Sequence, residues 1–153
     1  MDFISMFFSN GVLCSALLSW FSAQMIKTLL VLITTKKFVA ERIFGPGGMP
    51  SAHSASVTAL TIATSRVCGV QSVEFALAFV FAAVVMYDAT SVRRQAGEHA
   101  KAINKVVDKV DQMEEDDDDL DIRELKEVLG HTPLEVLAGA LLGIIISMLI
   151  PVA

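Results

Sequence analysis

The segment Gly47-Gly48-Met49-Pro50-Ser51-Ala52-His53-Ser54 sets a histidine and two serines directly behind a glycine- and proline-rich break, between two long apolar stretches. Two adjacent glycines and a proline hold the backbone out of regular structure, and Ser51 or Ser54 can cap the apolar run 55–67 as a helix. The motif then sits at a helix N-terminus. Free backbone N–H groups and the positive end of the helix dipole favour an anion there, and a histidine can exchange a proton with it. The arrangement suits a phosphate. Taken alone, a Gly/Pro/Ser break before a helix is more often punctuation than chemistry, so the assignment needs further polar clusters. Two exist: Asp88-Ala89-Thr90-Ser91-Val92-Arg93-Arg94 at the end of one apolar run, and Gly130-His131-Thr132-Pro133 at the start of another.

The elements that carry these clusters read as membrane segments. Of 153 residues 54% are hydrophobic and only 19% charged, with a mean hydropathy of +0.59, too apolar for an ordinary soluble domain of this length. The formal net charge is −5, and the charges crowd into 93–127, as in a membrane protein with one large wet loop. We expect a single membrane domain over 1–153, with a cytoplasmic insertion at about 95–130. Cys14 and Cys68 lie inside apolar runs, so neither a disulfide framework nor a metal site is expected. Asp2 precedes the first apolar stretch without a basic residue or a clean small-residue cleavage site, which argues against a removed signal peptide.

Residues 1–10 read as an interfacial lead-in. Residues 11–35 stay apolar except for Gln24 and Lys27, long enough to cross a hydrocarbon core of roughly 30 Å. Lys27 is costly there unless it pairs inside the bundle or faces a polar cavity. Lys36, Lys37, Glu41 and Arg42 mark the first wet loop. The run 55–67 is short for a span, and Ala55, Ala59 and Ala63 recur every four residues, which lets helices approach closely. Residues 73–87 form a clean apolar run. Residues 95–113 carry apolar side chains at helical spacing with charges opposite, an amphipathic helix for the membrane surface or the bundle. Residues 114–121 are almost wholly acidic, a solvated loop without EF-hand spacing. A short helix is expected at 121–129, then a last span at 134–152 with Gly139 and Gly143 on a small-residue face.

Four spans fit these runs, giving an all-α membrane bundle of about four transmembrane helices plus an amphipathic cytoplasmic helix. With four crossings, the loops 36–54 and 91–132 fall on one side and hold nearly every Lys and Arg, while the other side has Arg66 alone. The positive-inside rule places both loops in the cytoplasm if the membrane is a plasma membrane. It also gathers His53, Arg93, Arg94 and His131 at one membrane face.

The three clusters, in order, resemble the type 2 phosphatidic acid phosphatase superfamily, which includes vanadium haloperoxidases. Gly-Gly-Met-Pro-Ser-Ala-His-Ser, Asp-Ala-Thr-Ser-Val-Arg-Arg and Leu-Gly-His-Thr-Pro-Leu-Glu-Val resemble more closely its divergent branch of small membrane proteins. The resemblance runs from about Gln24 to the C-terminus. It implies a metal- and cofactor-independent phosphatase: His53 as general acid, His131 as nucleophile and Glu135 as the carboxylate that orients it. Phosphate would be held by Arg93, Arg94, Ser51, Lys37 and Gly48, with Asp88, Lys27 and Arg42 in support. A neutral imidazole is a good phosphorus nucleophile, a carboxylate four residues on can hold one ring nitrogen, and guanidinium suits phosphate oxygens.

The sequence departs from the superfamily pattern at several places. Ala52 stands for the usual glycine, Glu135 for the usual aspartate, and no Arg-Pro pair follows a lysine, leaving Lys37, Arg42 and Lys27 as candidates for that lysine. His99 stands at the ordinary spacing after Arg93, but Ile103 occupies the place of its acid, so His131 is preferred. The expected function is a membrane-embedded phosphatase cleaving a phosphomonoester or pyrophosphate, on a lipid held in the bilayer, through a phosphohistidine. The alternative is a non-catalytic protein that binds or carries anionic lipid with the same cationic pocket; vanadate-dependent halide oxidation ranks third. The acidic loop and the lack of a basic aromatic surface argue against nucleic acid as a partner.

Overall fold

A computed structural model describes residues 2–36, 47–111, 125 and 130–152. Lys37, Arg42, the acidic stretch 114–121 and, apart from Leu125, the short helix expected at 121–129 lie outside the described residues. All described elements are helices: α1 (Phe3–Ser9), α2 (Gly11–Thr35), α3 (Ala52–Cys68), α4 (Val73–Thr90), α5 (Val92–Asp111) and α6 (Pro133–Leu149).

Most helix starts carry the residue that local chemistry requires. The Asn10 side chain accepts a hydrogen bond from Leu13 N–H at the head of α2. Ser51, rather than Ser54, caps α3, and Ser72 caps α4 by accepting from Phe75 N–H at 3.1 Å. Thr132 caps α6 with Pro133 in the first helical position, where a missing N–H costs nothing.

The bundle is built around α3, which packs against α2, α4 and α6. Its Ala, Ser and Thr residues make it thin enough for this. A Cβ on Gly139 would collide with the Ser51 carbonyl and one on Gly143 with that of Ala55, so α3 and α6 run parallel in backbone contact. Helix α2 runs the other way: Gly11 abuts Pro151 and Val152, while Lys27 lies against Gly48. The Thr61 hydroxyl lies 2.8 Å from Val57 O on its own helix and 3.2 Å from Ala78 O, tying α3 to α4.

The outer surface is apolar. Leu29, Leu77, Phe79, Val80, Leu141, Ile145 and Met148 all point outward, far more exposed apolar area than a water-soluble surface carries. Helix α2 and the stretch beginning at Val73 are long and apolar enough to cross a membrane, and α6 is apolar over 17 residues. The molecule is a helical membrane bundle. Cys14 and Cys68 are free thiols.

One expectation changes and another narrows. Arg93 and Arg94 were assigned to a loop, yet they lie in the first turn of α5, which follows α4 after Ser91 alone. Hydrogen bonds from Ser91 N to Tyr87 O and from Gln95 N to Ser91 O, both 2.9 Å, continue the helical ladder through the junction. Of the two places expected for α5, the membrane surface or the bundle, the second is not observed: it packs against none of α2, α3 and α6, and among described residues it meets the end of α4, Leu125 and Gly130. A helix amphipathic by sequence need not lie on the bundle when its start is set by the helix before it.

Candidate active site

His131 is the best-held group of the cluster. Its backbone N–H donates to Ala89 O at 3.0 Å, and Gly130 before it lies against the Arg94 backbone so closely that any Cβ would collide. The third chain segment is thereby fastened to the junction of α4 and α5. Its side chain is buried, and Nδ1 lies 3.1 Å from Glu135 Oε2. A carboxylate only accepts, so the ring proton belongs on Nδ1, and Nε2 keeps its lone pair for an incoming group.

The Glu135 carboxylate is fixed by a second task. Its Oε2 also accepts from Thr132 N–H at 2.9 Å, while Glu135 N–H donates to Thr132 Oγ1 at 3.3 Å, the reciprocal capping box of α6. The acid that orients His131 is thus part of the helix start, and the i to i+4 spacing brings it beneath the ring.

The first cluster meets this one through the backbone. Ser51 N–H donates to Glu135 O at 3.0 Å, so the N-termini of α3 and α6 lie side by side. Both helix dipoles then direct their positive ends to one place, which favours an anion. The Ser51 hydroxyl is fully buried and accepts from Ser54 N–H at 3.3 Å and from Ser54 Oγ at 3.0 Å. Its acceptor role therefore belongs to the cap. His53, in the first turn of α3, is exposed, and Lys27, Arg93 and His131 all act on it electrostatically.

Three of the expected cationic groups occupy definite places. Lys27 is 3% exposed, and its aliphatic stem runs over Gly48, whose φ of +82° suits glycine. Lys37 and Arg42, the other candidates, lie outside the described residues. Arg93 Nε donates to Asp88 Oδ2 at 2.5 Å, an exposed pair that contributes little to stability but fixes the guanidinium at the end of α4. Arg94 contributes its backbone to the fit of Gly130, while its side chain is exposed. His99 is exposed on α5 and is not among the groups acting on His53.

Gly130 and Thr132 stood in the third cluster without a role of their own, and the Ala89 carbonyl was not named; together they place His131. A glycine directly before the histidine and a Thr-x-x-Glu capping box were the available signals; the Ala89 carbonyl had none.

Apolar helices carrying paired histidines, a carboxylate and cations at one end define a membrane protein with a polar cluster at one end of the bundle. The chain belongs to the Divergent PAP2 family, which it matches over residues 8–146. It is 38% identical over 149 residues to the uncharacterized membrane protein YuiD of Bacillus subtilis (strain 168), covering 93% of this chain and 94% of that one. No solved structure matches it.

Proposed function

We propose that the chain is a multi-pass membrane phosphatase acting on a lipid phosphomonoester or pyrophosphate at one membrane face. The observation that carries the reading is the His131–Glu135 pair, which leaves Nε2 for an incoming group at the bundle end that also carries His53, Lys27 and Arg93. In the first step Nε2 attacks phosphorus as the bond to the leaving oxygen breaks. His53 protonates that oxygen, releasing the lipid alcohol or phosphate. In the second, water attacks the phosphorus–nitrogen bond, His53 takes its proton, and phosphate leaves with His131 restored. Lys27 and Arg93 balance charge on the phosphoryl oxygens, aided by the converging helix N-termini. The spans are α2, α3, α4 and α6, with the site in the cytoplasmic leaflet of a plasma membrane.

The test is phosphate release from lipid phosphates and pyrophosphates by the purified protein in detergent with EDTA. Release that disappears in both His131→Ala and His53→Ala is expected. A folded parent that releases nothing, yet retains phosphate or vanadate through Arg93 and Arg94, would replace the enzyme with an anionic-lipid binding or transport protein.

A further inference from the structure

Gln24 is 4% exposed, and its Oε1 has no hydrogen-bond partner among the described residues. It lies one turn, about 5 Å, from Lys27 toward the middle of the bundle. A buried amide oxygen left without a donor is costly in an apolar surrounding, so a group that supplies one gains the difference.

The fold indicates where such a group would come from. Helix α2 packs on α3 and α6, α4 packs on α3 and also touches α6, and α2 and α4 do not meet. They border a furrow floored by α3. On the α2 wheel, Gly11 faces the end of α6 and Ala23 meets Ala52 and Ala55 of α3. At about 100° per residue, Gln24 lies past Ala23 on the side away from α6, the furrow side. On α3 the residues between the Ala52 side, which faces α2, and Thr61, which bonds Ala78 of α4, include His53, Ser56 and Leu60. Ser56 and Leu60 are half-buried along the floor, and exposed His53 stands at the head. The α2 wall carries outward-facing Leu17 and Phe21, so the furrow opens to acyl chains.

We infer that Gln24 selects lipid phosphates bearing a hydrogen-bond donor, a hydroxyl or amide, within a few atoms of the phosphate, with the acyl chain in the α2–α4 furrow. This rests on the proposed phosphate site for the position of the head group. Lipids with only ester groups or a hydrocarbon next to the phosphate leave Oε1 unpaired and bind less well.

The experiment compares 1-oleoyl lysophosphatidate with its 2-deoxy analogue, which differs by one hydroxyl. Retention of each radiolabelled lipid and kcat/KM for phosphate release are both measured on the full chain in detergent. The parent should favour the hydroxyl lipid about tenfold, the worth of one buried hydrogen bond. In Gln24→Met, close in volume, the ratio should fall to about one while the deoxy lipid is handled as by the parent. Thr58→Val, which removes another buried hydroxyl lacking a partner among described residues, should leave the ratio unchanged. Equal handling of the two lipids by the parent, or a ratio that survives Gln24→Met, overturns the inference. Should Gln24→Met not fold, the parent ratio and a reduced ratio in Gln24→Asn decide. If neither lipid is cleaved but the hydroxyl lipid is still retained tenfold better, the phosphatase reading falls and the role of Gln24 stands.

Discussion

Glu135 shows how one side chain can serve both helix and site. Its Oε2 is shared between Thr132 N–H and His131 Nδ1, so the carboxylate that starts α6 also sets the histidine tautomer. Glutamine at the same position can still reach back to the cap N–H but can donate to Nδ1 as well as accept from it. Glu135→Gln should therefore melt close to the parent while the rate of phosphate release falls on the order of 10²-fold or more, measured in single turnover. A parent-like rate would separate Glu135 from the chemistry. His53, His131 and Glu135 were named as candidates from residue type and order; the burial of Lys27 against the Gly48 loop was not legible, because it depends on how α2 packs.

At the scale of elements, contact between α3 and α6 decides whether the site exists. The first turns of both helices are joined by Ser51 N–H to Glu135 O, and two turns of backbone contact at Gly139 and Gly143 keep them in register. Gly143→Val should destabilise the protein by about 2–3 kcal/mol, since the neighbour it meets is backbone and cannot swing aside. Thermal unfolding in detergent measures this, and an unchanged midpoint would refute the close approach. At the far end, Arg66 Nη1 donates to the carbonyls of Ser147 and Ile150, the latter at 2.9 Å, so a cation closes the C-terminus of α6. Arg66→Met should cost about 1 kcal/mol by the same measurement, without altering the relative rates on different lipid phosphates. Asn104 pairs with both backbone groups of Leu125, at 2.9 and 3.0 Å, anchoring the return toward Gly130. Asn104→Ala should speed amide exchange at Leu125 by roughly tenfold, the loss of about one net hydrogen bond.

The whole molecule places Ser51, Arg93 and His131 at one end of the bundle and Arg66 and Cys68 at the other, since α3 and α6 run parallel and α2 antiparallel to both. The orientation proposed from the Lys and Arg distribution makes the first end cytoplasmic. Cys68 is exposed and serves as a reporter of the other end. In a Cys14→Ser background, Cys68 should react with a membrane-impermeant maleimide in intact cells, whereas His99→Cys in a Cys14→Ser/Cys68→Ser background should react only after permeabilisation. The reverse pattern would invert the topology and expose the site outside the cell. Arg66 also ceases to be an exception to the charge bias, because the α6 C-terminus that it caps gives it a local partner.

Composition and periodicity alone determined the apolar class, the bounds of α2 and the positions of α4 and α6, because segment length and hydropathy are local quantities that a bilayer reads directly. Motif order pointed to the family and singled out His53 and His131 as candidates. Only the tertiary structure decided that α5 continues from α4 and that Lys27 lies buried against Gly48. It also decided that Gln24 Oε1 is buried without a partner among the described residues. These depend on how small residues let α3 approach three helices at once, a property of surfaces meeting in space that no spacing along the chain encodes.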